Sequence, residues 1–117
     1  MASEARHAPR FSRQLNVDIN GLDIVTTNIA RGGVQLCCPQ MRYHGFLRAA
    51  KDGVIRLKIR LPDSSNWLTL SGSVRYVNPS KNDYLIGVQI SDIDPETEIQ
   101  WAAYIGILAE SESKSTE

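Results

Sequence analysis

No stretch of this 117-residue chain approaches the roughly 18 consecutive apolar residues that a membrane-spanning helix needs, and the N-terminus lacks the apolar core of a secretory signal. Histidine is scarce. His7 and His44 sit in different irregular segments without partners at metal-ligand spacing, which leaves metal chemistry without ligands. No glycine-rich loop opens a helix, and no serine or cysteine occupies a strained strand-to-helix elbow, so phosphate-loop and nucleophilic mechanisms lack their parts. An excess charge of either sign is missing too: 13 basic residues face 13 acidic ones, and no global field draws in nucleic acid or an anionic membrane. Only two cysteines occur, Cys37 and Cys38, side by side. Strand neighbours point to opposite faces, so this pair is poorly placed for a shared metal or a routine disulfide. One buried and one partly exposed thiol are expected. Without an export signal, the expected location is the reducing cytoplasm. The chain is read as a non-enzyme that spans no membrane.

What the chain has is alternation. Its length suits one domain able to bury a core without staples. Leu15, Val17 and Ile19 alternate with Gln14, Asn16 and Asp18. Asn20-Gly21 follows, a strong hairpin signal because a type I′ turn needs positive φ twice. Further strands are expected at about 33–38, at "VIRLKIRL", at "WLTLSGSVRYV" and at "YLIGVQIS". In the first of these last three, Ile55, Leu57, Ile59 and Leu61 face inward while Arg56, Lys58 and Arg60 face water. In the second, Leu68, Leu70, Val74 and Tyr76 share a face. "PDSSN" and "NPSKND" read as turns, and a short helical turn fits residues 46–50. The resulting fold class is mainly β: a small six-stranded antiparallel β-barrel with a C-terminal α-helix. In "DIDPETEIQWAAYIGILAE", Asp94 caps, Pro95 suits the first helical position, and Trp101, Tyr104, Ile105 and Leu108 make one apolar face.

The domain plan is therefore a flexible arginine-bearing arm (1–13), a barrel with its helix (14–109) and a disordered tail (110–117). A barrel for single-stranded nucleic acid would interleave aromatics with a basic groove. No aromatic alternates along 54–61, and no nucleic-acid partner is expected. The arm carries Arg6, Arg10 and Arg13 on a segment too irregular to need them for packing. Guanidinium groups match phosphate and the O6/N7 edge of guanine, and they stack on flat rings. Opposite the arm in sequence lies "TTNIARGGVQLCC". Its Gly32-Gly33 allows positive φ and leaves bare backbone at a strand junction.

Arm and junction together resemble the PilZ domain, a bacterial receptor module for cyclic di-GMP. Its pattern is an R-x-x-x-R arm, a hairpin, then [D/N]-x-S-x-x-G where the second strand meets the third. "RHAPR" supplies Arg6 and Arg10, and "NIARGG" supplies Asn28, Ala30 and Gly33. The ending, two strands and a helix introduced by "DPE", is similar as well. The resemblance spans about residues 4–109. It departs at Ala30, where the pattern has serine, and at Ala5, where an extra arginine is common. It implies a cyclic di-GMP site made of Arg6, Arg10, Asn28, Ala30 and Gly33, with Arg13 auxiliary and no cofactor. It further implies a switched surface for a downstream protein partner. The alternative is a PilZ-like adaptor acting through protein contacts without nucleotide.

Overall fold

The structure, a computed structural model, describes residues 9–62 and 66–115. Arg6, His7 and the middle of the expected "PDSSN" turn lie outside the described residues. The elements are β1 (Arg10–Ser12), β2 (Asn16–Ile19), β3 (Leu22–Ala30), β4 (Gly33–Pro39), α1 (Tyr43–Ala49), β5 (Val54–Arg60), β6 (Trp67–Ser80), β7 (Asp83–Asp92) and α2 (Pro95–Ser115). All strand pairs are antiparallel, in the order β3-β2-β5-β6-β7-β4, and β4 returns to pair with β3. The six-stranded barrel expected from the alternation is thus closed. Closure leaves none of its six strands as a free edge.

Alternation translates directly into burial. Leu15, Val17 and Ile19 point inward, as do Ile55, Leu57 and Ile59, while Arg56, Lys58 and Arg60 stay in water. The β2–β3 hairpin turns at Asn20 (φ 54°) and Gly21 (φ 93°), the two positive values that a type I′ turn requires. Cys38 is buried and Cys37 half-buried, on opposite faces of β4 as expected. Burial is the leading cause that raises both thiol pKa values, with Asp83 adding to it at Cys37.

β1 is a seventh, short strand. The last part of the segment read as an arm pairs with residues 28–30 of β3, on the same edge that β2 occupies at 22–25. Between β1 and β2 the ladder is interrupted, and Thr26 bridges the gap. Its Oγ1 donates to the Arg13 carbonyl at 2.7 Å and accepts from the Leu15 N–H at 2.9 Å. Thr26 is the one buried polar side chain among the described residues. Thr26→Val keeps shape but strands a buried donor and an acceptor. It is expected to cost about 2–4 kcal/mol, at roughly 1–3 kcal/mol per unsatisfied group. Urea midpoints measure this, and Thr26→Ser, which keeps the hydroxyl, should recover part of the loss.

Among the described residues three register shifts interrupt the ladders; one falls between Ser71 and Gly72 in the β6–β7 pairing, and the other two, both β-bulges, shift the alternation at the outer wall. Of these two, one lies between Thr26 and Asn28 on β3, the other between Val74 and Tyr76 on β6. An extra residue flips every later side chain to the other face. On β3, Ile24 and Thr26 are buried, but beyond the bulge it is Ile29 that is buried, and Asn28 and Ala30 face out. On β6, Leu68 and Leu70 are buried and Val77 packs against the core, whereas Tyr76 is on the outer face, 37% exposed. The sequence-based placement of Tyr76 beside Leu68, Leu70 and Val74 is corrected by this bulge.

The helices close the two ends. α1 follows the end of β4 remote from the β3–β4 turn and buries Phe46; it starts earlier than expected, after a 3-10 turn at Gln40–Arg42. Arg42 donates to the Asp23 carbonyl at 2.7 Å and ties this end to β3. α2 sits at the other end. Asp94 caps it, its Oδ1 accepting from the Thr97 N–H at 2.8 Å, and this hydrogen bond leads the lowering of the Asp94 pKa. Trp101, Ile105 and Leu108 are buried and Tyr104 is half-buried, the apolar face read from the sequence. The helix continues to Ser115, so residues 110–115, read as tail, are helical.

Candidate functional site

The outer wall of the barrel near α2 carries two aligned rows of residues. The strand registers set Ser12, Asn28, Gln35, Gly87 and Tyr76 across β1, β3, β4, β7 and β6. Next to them run Arg10, Ala30, Gly33 and Gln89. Both bulges lie within the first row. They bring Asn28 and Tyr76 out onto the surface, and Arg75 with them.

Side chains knit the first row together. Ser12 Oγ lies 3.4 Å from Asn28 Oδ1, Asn28 Nδ2 donates to Gln35 Oε1 at 3.2 Å, and Gln35 Nε2 donates to the Tyr76 hydroxyl at 2.8 Å. Glycine at 87 makes the last link possible. A Cβ there would overlap the Tyr76 ring, which lies flat across β7 toward Gln35. Gly33 is likewise demanded by the sheet, since a Cβ would stand 2.6 Å from the Val88 carbonyl oxygen. Neither Gly32 nor Gly33 takes positive φ; that allowance goes unused, and close strand approach is the reason for Gly33.

Between the rows lies an open cavity of about 710 Å³, within the range of about 300–1,000 Å³ usual for small-molecule sites. Arg10 and Arg75 stand at it, Tyr76 supplies an aromatic face, and Asn28, Gln35 and Gln89 supply amides. Among the described residues no carboxylate lines it. The chemistry that fits is an anion with a flat, hydrogen-bonding ring. Among the described residues no group of three metal-ligating side chains exists, and His44 lies exposed on α1.

Of the residues singled out from the sequence, Arg10, Asn28, Ala30 and Gly33 meet at this cavity. Arg13 does not line it: its Nη1 donates to the Ser12 carbonyl at 2.8 Å, and its own carbonyl serves Thr26. Arg6 lies outside the described residues. Gln35, Arg75, Tyr76 and Gln89 were missed: Gln35 belongs to neither motif, and the other three reach the site through strands far along the chain.

The β3–β4 turn links the cavity to α2. Trp101 Nε1 donates to the Arg31 carbonyl at 3.1 Å, and the Arg31 guanidinium lies 3.7 Å from the Glu98 carboxylate. Both side chains of that ion pair are more than half exposed, so the indole hydrogen bond and the burial of Trp101 carry the attachment.

Solved structures share this fold. The Bacillus subtilis inhibitor of motility MotI/DgrA matches with a TM-score of 0.67 at 19% identity, over 91% of this chain and 51% of that one. K. pneumonia MrkH in complex with c-di-GMP matches with a TM-score of 0.67 at 16% identity, over 96% of this chain and 54% of that one. Borreliella burgdorferi PlzA, also in complex with c-di-GMP, matches with a TM-score of 0.57 at 16% identity, over 89% and 46%. The chain thus spans about half the length of these three. No curated protein matches it in sequence. The family model of the PilZ domain matches residues 3–106, the whole of the barrel and the first half of α2, and the chain belongs to the PilZ domain family.

Proposed function

We propose that the protein is a non-enzymatic receptor for cyclic di-GMP, held between the arm and the outer wall of the barrel. The carrying observation is the cavity itself, which gathers Arg10, Arg75, Asn28 and Tyr76 and has no carboxylate among the described residues of its lining. The guanidinium groups take the two phosphates, the Tyr76 ring offers a face to one purine, and the polar groups at the ring's edge read the other. Two relatives of the same fold, MrkH and PlzA, were solved with this ligand, which supports the reading. Arg6, Arg10 and Arg13 of the arm close over the nucleotide, Arg6 and Arg10 touching it and Arg13 shaping the arm. Ligand contact at the β3–β4 turn is felt at α2 through Arg31 and Trp101. A cytoplasmic protein partner reads the altered surface.

Calorimetry at moderate salt with cyclic di-GMP, GMP, GTP and cyclic di-AMP tests this. Binding of cyclic di-GMP is expected, with clear preference over the other three. Absence of heat up to about 100 µM, where binding free energy is only near −5.5 kcal/mol, would instead favour the adaptor reading, in which protein contacts act without nucleotide.

One observation leans toward that second reading: Ala30 has no hydroxyl where the family pattern has one. Ala30 faces outward beside Gly33 at the cavity, so a serine fits there without strain. Ala30→Ser is expected to raise affinity several-fold, at about 0.5–1.5 kcal/mol for one neutral hydrogen bond. Ligand-free stability should stay within about 0.5 kcal/mol. Equal affinity would show that position 30 makes no polar contact with the nucleotide.

A further inference from the structure

Gln35 belongs to neither the arm nor the junction motif, yet its amide is the centre of the polar row. Oε1 accepts from Thr27 Oγ1 at 2.7 Å and from Asn28 Nδ2 at 3.2 Å, while Nε2 donates to the Tyr76 hydroxyl at 2.8 Å. This orientation has a chemical consequence. The Tyr76 oxygen receives a hydrogen bond, so its own proton stays free to donate. Asn28 spends one N–H on Gln35 and keeps the second. Tyr76 and Asn28 both line the cavity, so each brings an unspent donor to it.

We infer that Gln35 is a positioning residue that sets the site's preference for guanine over adenine. The inference rests on the cyclic dinucleotide reading above. The major-groove edge of guanine offers two acceptors, O6 and N7, whereas adenine puts an N6 donor beside N7. A pair of donors held by one glutamine suits the first edge and meets the second with a donor-to-donor clash. Thr27 sits at the same bulge that turns Asn28 outward, and the Asn28 Nδ2, which can only donate, sets Gln35 Oε1 toward itself and the Thr27 hydroxyl.

Gln35→Glu tests the polarity. A carboxylate only accepts, so it takes the Tyr76 proton as well as the Asn28 N–H, and the donor from Tyr76 is lost to the ligand. The added negative charge weakens any anionic ligand. Cyclic di-GMP and cyclic di-AMP carry the same two phosphates, so that effect cancels in the ratio of their affinities. This ratio is expected to fall at least about fivefold in Gln35→Glu, with a comparable fall in Tyr76→Phe and no additional fall in the double variant, since both act through one proton. A ratio in Gln35→Glu equal to that of the unaltered protein would overturn the inference while leaving cyclic di-GMP recognition intact. Failure of the unaltered protein to bind any cyclic dinucleotide would instead overturn the functional reading. In that case the positioning role is decided without ligand. In a ¹H–¹⁵N spectrum, Tyr76→Phe should move the Gln35 side-chain amide signals, and Gln35→Leu should move those of Asn28. Unmoved signals would refute the positioning role as well.

Discussion

Trp101→Ala is expected to lower the stability of the protein by about 3–5 kcal/mol, the range for truncating a buried large aromatic. Trp101 is 1% exposed and is the largest fully buried side chain in the core. Its ring fills the end of the barrel beneath the β3–β4 turn, and its N–H holds the Arg31 carbonyl. Truncation leaves a cavity that α2 can refill only by moving as a whole, because Ile105 and Leu108 are anchored on the same face. For a domain of this size the loss corresponds to a fall in thermal midpoint of roughly 10–25 °C. Circular dichroism melts measure it. Ile107→Ala is the control: Ile107 is 62% exposed on the opposite face of α2, and its loss should stay within about 0.5 kcal/mol. Equal effects of the two changes would mean that α2 does not pack by the Trp101 face. Trp101→Phe should be milder than Trp101→Ala, since the Arg31 carbonyl lies in an exposed turn where water can replace the indole.

Arg10→Ala should remove most of the affinity for cyclic di-GMP without unfolding the protein. The side chain is exposed, lines the cavity and stands directly across from Ala30. Alanine retains the backbone pairing of β1 with β3, so stability should change by less than about 0.5 kcal/mol. The lost charge-assisted hydrogen bonds are worth roughly 1.5–3 kcal/mol each, or about 10- to 150-fold in affinity for one of them. Arg13→Ala should be milder, because Arg13 lies off the cavity and its hydrogen bond to Ser12 supports β1 only indirectly. Arg75→Ala, on the far wall, should resemble Arg10→Ala. Calorimetry on each variant, beside its ligand-free melt, gives both quantities. Intact affinity in Arg10→Ala would mean that the arm is not the clamp.

The barrel was legible from local pattern because inward and outward positions alternate with a period of two, and each strand carries that period within its own residues. The Asn20-Gly21 hairpin and the Asp94 cap were legible for the same reason: each depends on two to four neighbouring residues. Half of the candidate site was legible too. Arg10, Asn28, Ala30 and Gly33 form recognisable motifs, and they do meet at one cavity. The expected conformation of Gly32-Gly33 was not found, because a neighbouring strand 55 residues on, at Val88, sets the demand for glycine at 33.

The remaining half depended on the bulges. Their trace is present in the chain: Ile29 falls out of phase with Ile24 and Thr26, and Val77 with Leu70 and Val74. A phase slip says that an extra residue lies somewhere in the interval. Which residue bulges, and so whether Asn28 and Tyr76 face core or solvent, is decided by hydrogen-bond register with β4 and β7. Register is a property of paired strands. So is the row that sets Tyr76 beside Gln35 across Gly87, joining positions 41 residues apart. Local causes specify the six barrel strands, the hairpin, the amphipathic helix and the motif residues, whereas β1 becomes a strand only by pairing with β3. The tertiary structure alone decided which polar side chains share one surface, because closing the barrel sets residues from β1, β3, β4, β6 and β7 side by side.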